Sequence, residues 1–409
     1  MPWGSIDGVV PDSYRTLLRT PVVGRALSTL LVARLLGPMA GLAVVLLTVS
    51  RTGSFAAAGL VSGVWVGVSG VGTLFWSRLV DRGRPRRVLV GTAVGSSAGL
   101  LALALVPTSS VPALIGLTAL AAAASPPVIP TGRALWPVLL ADEPSRSAMY
   151  SLEATLQELT FIVGPALAGA VAAAAGPAAS VLVAAGLSLA GCAAFASTPG
   201  LDRVGHRDAA RARGPDLLAL SPLLVTGGLL ICGLSMSEVA VIGTASRAGS
   251  ANLSGLLLAV WSAGSLVGGL LGGARPARRG SVRRLLRLLP AVALTTFVLA
   301  PIHILPLVGA VLVLGGGLVA PTLGALYTLV QQRAPAGAVT QTFAALTLSA
   351  YVGAAAGASA AGSLVQVAGP GMAFLVAGLL PVAAAVLVGG TVARATAPAR
   401  REATADASG

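Results

Sequence analysis

The chain has 409 residues, of which 55% are hydrophobic and only 10% are charged, against roughly 25% charged residues in a soluble domain. Its 27 basic residues, all of them arginine, outnumber 13 acidic residues and give a formal net charge of +14. A soluble enzyme, a nucleic-acid-binding protein and a disordered chain are disfavoured, because too little polar surface remains to cover a soluble core. Two cysteines, Cys192 and Cys232, are too few for a disulfide framework or a metal site.

Long apolar runs dominate the sequence from residue 24 onwards. A membrane-spanning helix needs roughly 20 mostly apolar residues, and twelve runs meet that length. They cover residues 24–49, 54–77, 87–107, 111–135, 153–175, 178–197, 221–244, 252–273, 285–301, 305–330, 341–366 and 371–393. The sequence therefore predicts an all-α polytopic membrane protein. The ninth run is the weakest, because prolines blur its edges, and no cleavable signal peptide is expected before the first.

The arginines are distributed very unevenly between the two sides of the membrane. With twelve spans both termini lie on one side, and 24 of the 27 arginines fall there. Only Arg51 and Arg247 fall on the other side, and Arg34 lies inside the first span. The positive-inside rule then predicts a multi-pass inner-membrane protein with both termini in the cytoplasm. The arginine clusters are expected to contact anionic lipid headgroups.

The longest polar connection divides the chain into two sets of six spans. We predict a cytoplasmic N-terminal segment at 1–23, a first six-helix bundle at 24–197 and a cytoplasmic central loop at 198–220. A second six-helix bundle follows at 221–393, and the small, polar residues at 394–409 predict a disordered tail.

The two halves of the chain resemble each other. Gly59-Leu60 and Val64-Trp65 match Gly255-Leu256 and Val260-Trp261, with an offset of 196 residues. Further matches in spans four and five have offsets of 191 and 193 residues. Both halves start on the same side of the membrane, so this is a parallel repeat about an axis along the membrane normal. Such a repeat fits alternating access, in which two bundles move about a central site.

The segment between spans two and three carries a specific motif. Ser77-Arg78-Leu79-Val80-Asp81-Arg82-Gly83-Arg84-Pro85-Arg86-Arg87 resembles the first signature of the major facilitator superfamily, Gly-x-x-x-Asp-Arg-x-Gly-Arg-Arg. Ser77 replaces the first glycine, and Gly83-Arg84 stands in reversed order. The resemblance covers nearly the whole chain and implies the fold of that superfamily, with twelve helices in two bundles.

The resemblance also implies a conformational latch near this motif. Asp81 could face an arginine or a helix N-terminus, and that contact would form in one transport state and break in the other. The proposed latch residues are Asp81, Arg82, Arg86, Arg87 and Arg133. The alternative is a pair of solvated loop residues worth about 0–1 kcal/mol.

A weaker motif lies in span five. Gly164-Pro165-Ala166-Leu167-Ala168-Gly169 resembles the glycine- and proline-rich signature of drug-efflux antiporters of the superfamily. Gly164 and Gly169 would allow close helix packing, and Pro165 would kink the helix. The alternative is a packing face that says nothing about transport direction. The overall pattern is similar to actinobacterial-type efflux members of the superfamily.

Ionisable residues at membrane depth are candidates for function, because they are costly unless paired or hydrated. Glu238, Glu158 and Glu153 are the candidate proton carriers, and Arg34 could tune an acid or bind an anionic substrate group. By resemblance, spans one, four, seven and ten line the cavity, which would expose Arg34 and Glu238. Further candidate substrate contacts are Trp65, Trp261 and Tyr327. The alternatives are a buried structural Arg–Glu pair and aromatic bundle packing.

The predicted function is proton-coupled export of a small, largely apolar compound by a monomeric secondary transporter that needs no cofactor. An importer or an uncoupled facilitator on the same fold remains an alternative. A polytopic membrane enzyme is disfavoured, since the sequence has no acidic metal-binding cluster and, without lysine, no nucleotide-binding loop of the Gly-x-x-x-x-Gly-Lys type. A non-transporting receptor is a further alternative.

Overall fold

The computed structural model describes residues 17, 19–205, 217–250, 253–273, 280–335 and 337–406. Of the central loop, 206–216 lie outside the described residues, as does the side chain of Glu158. Over the described residues the secondary structure is helical and contains no β-strand, which confirms the predicted all-α class.

Fourteen α-helices are present in the described part of the chain. In chain order they are α1 Pro21–Arg34, α2 Leu36–Thr52, α3 Phe55–Asp81, α4 Pro85–Leu105, α5 Val111–Ala123, α6 Val128–Leu139, α7 Glu143–Ala175, α8 Pro177–Ala196, α9 Leu217–Arg247, α10 Ser254–Gly273, α11 Ser281–Leu299, α12 Leu305–Arg333, α13 Val339–Val367 and α14 Pro370–Asp406. Several helices begin at a proline, whose fixed φ suits the first helical turn.

Two of the predicted spans are each built from two helices. Span one breaks at Leu35 between α1 and α2, because Pro38 has no N–H to donate to the carbonyl of Arg34. Span four breaks between α5 and α6, where Pro126 and Pro127 interrupt the helix. Both predicted spans are confirmed as apolar segments long enough to cross a membrane, and prolines divide each of them into two helices.

Eleven of the described helices or helix pairs are long and apolar enough to cross a membrane. The ninth predicted span is the exception. It forms α11, a helix of 19 residues that carries Arg283, Arg284 and Arg287 in its first turns. The ninth run is therefore helical as predicted, with a strongly basic beginning.

The two halves pack their helices in the same way. In the first half α8 packs against α1 and α4, and in the second half α14 packs against α9 and α11. These are the contacts of span six with spans one and three, and of span twelve with spans seven and nine. The packing therefore follows the internal repeat that the sequence predicts.

Glycine contacts show the repeat at the level of single residues. A Cβ atom on Gly164 would lie 2.9 Å from Pro38 Cβ and 3.2 Å from the nitrogen of Met39. Gly357 follows Gly164 by 193 residues, and a Cβ atom there would lie even closer to the backbone of Cys232, which follows Met39 by the same 193. Span five thus packs on span one as span eleven packs on span seven, and in both cases glycine permits the close approach.

Arg51 and Arg247 lie 196 residues apart, at equivalent sequence positions, but contact the ends of different spans. Arg51 donates to the carbonyls of Leu103 and Ala104 at the end of α4, each at 2.7 Å. Arg247 donates to the carbonyl of Val365 at the end of α13, at 3.1 Å. The last carbonyls of a helix have no helical partner and carry partial negative charge, so both arginines stabilise a helix C-terminus.

The chain divides into two compact units. Unit 1 contains the residues up to Pro215 together with Gln331–Leu348, and unit 2 contains Asp216–Val330 with the residues from Ser349 onwards. The start of α13 thus belongs to unit 1, although the repeat assigns it to the second half.

The last helix, α14, extends into the segment for which we expected disorder. Its backbone stays helical through 394–406, because the alanines of this segment have high helix propensity.

Candidate transport site in unit 1

A buried ionic cluster lies where α1, α6 and α7 meet. One carboxylate oxygen of Glu153, Oε1, accepts hydrogen bonds from Arg34 Nη1 and from Arg133 Nε, both at 3.0 Å. The other oxygen, Oε2, accepts from Trp136 Nε1 at 2.6 Å. The side chains of Arg34, Arg133 and Glu153 are 1%, 3% and 0% exposed. We call these residues, with Gln157, the Glu153 cluster.

Both arginines of the cluster lie on the broken spans. Arg34 is the last residue of α1, directly before the break at Leu35, and Arg133 lies in α6, one and a half turns after the prolines that end α5. Interrupted helices at membrane depth are typical of substrate and ion sites in transporters, because they bring helix ends and polar groups into the bundle.

Gln157 forms the outer edge of the cluster. Its Oε1 accepts from Arg34 Nη2 at 3.0 Å and from Arg133 Nη2 at 3.4 Å. Gln157 follows Glu153 by four residues, so both side chains lie on one face of α7. Gln157 is half-buried, whereas Glu153 is fully buried.

Asp81, at the end of α3, contacts the start of α13. Its Oδ1 accepts from the backbone N–H of Thr340 at 3.1 Å, and its Oδ2 accepts from the N–H of Gln341 at 2.8 Å. The first N–H groups of a helix have no helical partner, so a carboxylate there satisfies two donors and complements the helix dipole. The carboxylate is buried, with Asp81 6% exposed.

Arg133 connects the Glu153 cluster to the same segment of α13. Its guanidinium carbon lies 5.6 Å from the ring centre of Phe343, and its backbone carbonyl accepts a hydrogen bond from the Tyr150 hydroxyl at 3.0 Å. Tyr150 and Phe343 pack with ring centres 5.9 Å apart and are themselves repeat equivalents, 193 residues apart. Gln332 donates to Glu143 at 2.6 Å in the same unit.

Glu238 differs from the acids of unit 1. It lies in α9, its side chain is exposed, and it makes no hydrogen bond or ion pair with any part of the chain that the structure describes. Trp261, in the same unit, is partly buried and lines a small apolar cleft with Leu234 and Thr295.

The other predicted site residues are spread over the two units. Arg82 and Arg87 are exposed, and Arg86 pairs with Asp202 of the central loop at 2.8 Å. Trp65 is buried in the apolar core of unit 1, and Tyr327 is buried in α12. Pro165 lies within an unbroken α7, and a Cβ atom on Gly169 would meet open space.

Sequence reasoning missed several residues of the site. Trp136, Tyr150 and Phe343 were not singled out, and Gln157 was not recognised as a partner of Glu153. The spacing of Glu153 and Gln157 could have revealed the latter, because residues four apart share a helix face. No signal in the sequence connects Asp81 with Thr340, which lies 259 residues away.

Comparison with known proteins decides the family. A model of the Major Facilitator Superfamily matches residues 26–358. The chain belongs to this superfamily. It is therefore a membrane transporter and not an enzyme, and its substrate is a small molecule. Comparison with curated protein sequences finds no match.

Two solved transporter structures share the fold of this superfamily member. The human organic anion transporter MFSD10 (TETRAN) superposes with a TM-score of 0.69 at 18% identity, over 89% of this chain and 99% of that one. A bacterial homologue of the iron transporter ferroportin, in its outward-facing state, gives a TM-score of 0.68 at 15% identity, over 89% and 98%. At these identities the likeness concerns the fold alone.

Proposed function

We propose that this protein is a proton-coupled secondary transporter of the inner membrane that exports a small, largely apolar compound by alternating access. Both termini lie in the cytoplasm in this proposal, as the distribution of arginines predicts. Proton entry from outside drives the substrate in the opposite direction. The two solved relatives are named for different cargoes, an organic anion and iron, so neither name fixes the substrate.

The observation that carries the proposal is the contrast between Glu238 and the other described acids within the spans. The carboxylates of Asp81 and Glu153 each accept hydrogen bonds from two or more N–H groups. Protonation of either carboxylate would therefore weaken these hydrogen bonds. Protonation of Glu238 breaks no contact among the described residues. An intramembrane acid of this kind suits a proton carrier. Glu158 remains a second candidate.

Asp81 serves as the conformational latch in this proposal. Its carboxylate stabilises the start of α13 in the described state, and the contact breaks when the transporter changes state. The buried, doubly bonded carboxylate supports this role, because a contact worth about 0.5–2 kcal/mol can shift a two-state equilibrium noticeably.

A proton-flux assay in proteoliposomes tests the proposal. A pH gradient is imposed, and the internal pH is followed while cationic, neutral and anionic amphiphiles are added. We expect proton movement opposite to the substrate in the wild type and in Asp202→Asn, an exposed acid outside the spans, but none in Glu238→Gln. Substrate flux without proton movement in the wild type would instead indicate an uncoupled facilitator, and flux in the same direction as protons an importer.

A further inference from the structure

The start of α11 carries two arginines that have no partner in the part of the chain that the structure describes. Arg283 and Arg287 lie one turn apart, both side chains are exposed, and neither is hydrogen-bonded or ion-paired there. Arg284, between them, interacts with another residue of the chain. Two like charges four residues apart repel each other, and positive charge opposes the helix dipole at a helix N-terminus. The two arginines are therefore unfavourable here unless an anion lies beside them.

The first half of the molecule balances an equivalent arginine cluster with an acid of its own. Arg86, at the start of α4, pairs with Asp202 at 2.8 Å. The positions that follow Asp202 by 193 and 196 residues are Ala395 and Pro398, and the sequence holds no acidic residue from 239 to 401. The second half therefore lacks the acid that pairs with an arginine in the first half.

The helix that packs on α11 brings no acid close to these arginines. α14 runs antiparallel to α11, and a Cβ atom on Gly389 would lie 3.9 Å from Cδ2 of Leu286. Arg283 precedes Leu286 by three residues, about 5 Å along the helix. Glu402 follows Gly389 by 13 residues, about 20 Å in the same direction. The two charges are thus about 15 Å apart along the helices, too far for an ion pair.

The exposed side of α11 is apolar beyond the arginines. Arg287 shares its helix face with Leu294 and Val298, which follow it by seven and eleven residues. These two side chains are 63% and 43% exposed, whereas Leu285 and Leu289 on the opposite face are buried. α11 packs mainly on α14, so its exposed apolar side is the side that contacts lipid. Arg287 therefore faces the lipid and not the interior of unit 2.

The apolar part of α11 is too short to place these arginines beyond the lipid headgroups. From Leu288 to Leu299 the helix rises by about 18 Å, against about 30 Å for the hydrocarbon core of a bilayer. A span shorter than the hydrocarbon core draws its flanking residues to the depth of the headgroups. Arginine side chains there lay their apolar stems along the helix and hold the guanidinium groups among the phosphates.

We propose that Arg283 and Arg287 bind the phosphate group of an anionic phospholipid, such as phosphatidylglycerol, and that this lipid stabilises α11 in the membrane. Guanidinium groups bind phosphate oxygens through paired N–H donors, and an anionic leaflet attracts basic residues at its surface. The sequence predicts headgroup contact for all the arginine clusters. The structure distinguishes this one by its short span and its missing acid. The inference does not depend on the transported compound or on proton coupling.

Thermal unfolding of the full-length transporter in lipid nanodiscs tests the inference. One preparation contains phosphatidylcholine alone, and the other contains phosphatidylcholine and phosphatidylglycerol in equal parts. We expect phosphatidylglycerol to raise the melting temperature of the wild type, and to raise that of Arg283→Gln, Arg287→Gln by less than about half as much. In phosphatidylcholine alone the double variant should be at least as stable as the wild type, because the repulsion between the two arginines is gone.

Two further variants separate a bound lipid from a general effect of charge. Arg78→Gln with Arg84→Gln removes the same charge at exposed positions of the first half and should keep the rise of the wild type. Arg287→Gln alone should lose part of the rise, and it covers the case that the double variant does not fold.

Inorganic phosphate added to the phosphatidylcholine nanodiscs distinguishes a lipid from a free anion. It should give no rise, because it lacks the acyl chains that hold the phosphate beside α11. The inference is overturned by equal rises in the wild type and the double variant, or by an equal loss in the first-half control. It is also overturned if the wild type shows no rise, or if inorganic phosphate alone produces one.

Discussion

The two halves of the molecule share their packing but differ in their buried charges. Span five crosses span one through Gly164, and span eleven crosses span seven through Gly357 in the same register. At the positions of the Glu153 cluster, however, the second half is apolar. An offset of 193 residues aligns Glu153 with Leu346, and an offset of 191 aligns Arg133 with Gly324. The same helix packing therefore forms in the second half without these charges.

Glu238, which has no hydrogen-bond or ion-pair partner among the described residues, reverses this pattern. Glu238 lies in the second half, while the residues that precede it by 193 and 196 positions, Val45 and Leu42, are apolar. One half thus holds its buried charges in fixed pairs, and the other has one acid without a described partner. We infer that proton exchange belongs to the second half.

Removal of Glu153 should have the largest effect on stability. Glu153→Leu introduces the residue of the equivalent position, Leu346, and leaves two buried guanidinium groups without their shared carboxylate. We expect a loss of about 3–5 kcal/mol in the free energy of unfolding, measured in mixed detergent–lipid micelles.

The triple variant Arg34→Met, Arg133→Met and Glu153→Leu provides the control for this prediction. It replaces the charges together by apolar side chains and should recover most of the lost stability. It should also abolish transport. If the triple variant is as unstable as the single one, the charges are required for folding. That result would contradict the inference that the helix packing forms without them.

Glycine substitutions should show that the packing of the two halves is equivalent. Gly357→Ala and Gly164→Ala each place a methyl group against the backbone or a proline of the neighbouring span, and each should cost about 1–3 kcal/mol in unfolding free energy. Gly169→Ala is the matched control, since open space surrounds that position. Equal stability of all three variants would show that the contacts at Gly164 and Gly357 leave room for a methyl group.

The starts of α7 and α13 are repeat equivalents with different caps. The start of α13 is bonded by the distant Asp81. Asp81→Ala should cost about 0.5–2 kcal/mol and shift the population of transport states away from the described one. Distance measurements between spin labels on the two bundles would report this shift. An unchanged distance distribution would contradict the proposed latch.

The start of α7 is capped locally by Asp142. Substitution of Asp142 should have the smallest effect on stability. Asp142 accepts from the N–H of Ser145 at 2.8 Å, and this hydrogen bonding lowers the pKa of its carboxyl group. Its stabilisation is therefore present above the unfolded pKa of about 3.9 and is lost as the pH falls through the lower folded value. Asp142→Asn retains a cap without charge and should lower the melting temperature slightly at pH 7 and by less at pH 3. A difference that grows towards low pH would contradict this account.

The sequence alone predicted the helices, the repeat and the family, because these depend on local composition and spacing. It missed the breaks at Leu35 and before α6, where proline geometry overrides hydropathy. It did not predict that Arg34 meets Glu153, which is 119 residues distant, because a single sequence does not show which helix faces meet. The predicted roles of Trp65 and Glu158 stay predictions.

The most direct test of the account compares Glu153→Leu and Glu238→Gln in the same preparation, with both the free energy of unfolding and the substrate-triggered proton flux measured. We predict that Glu153→Leu lowers the stability by several kcal/mol. Glu238→Gln should change it by less than about 0.5 kcal/mol while abolishing the proton flux. Undiminished proton flux in Glu238→Gln would contradict the central claim that the unpaired acid of the second half carries the proton.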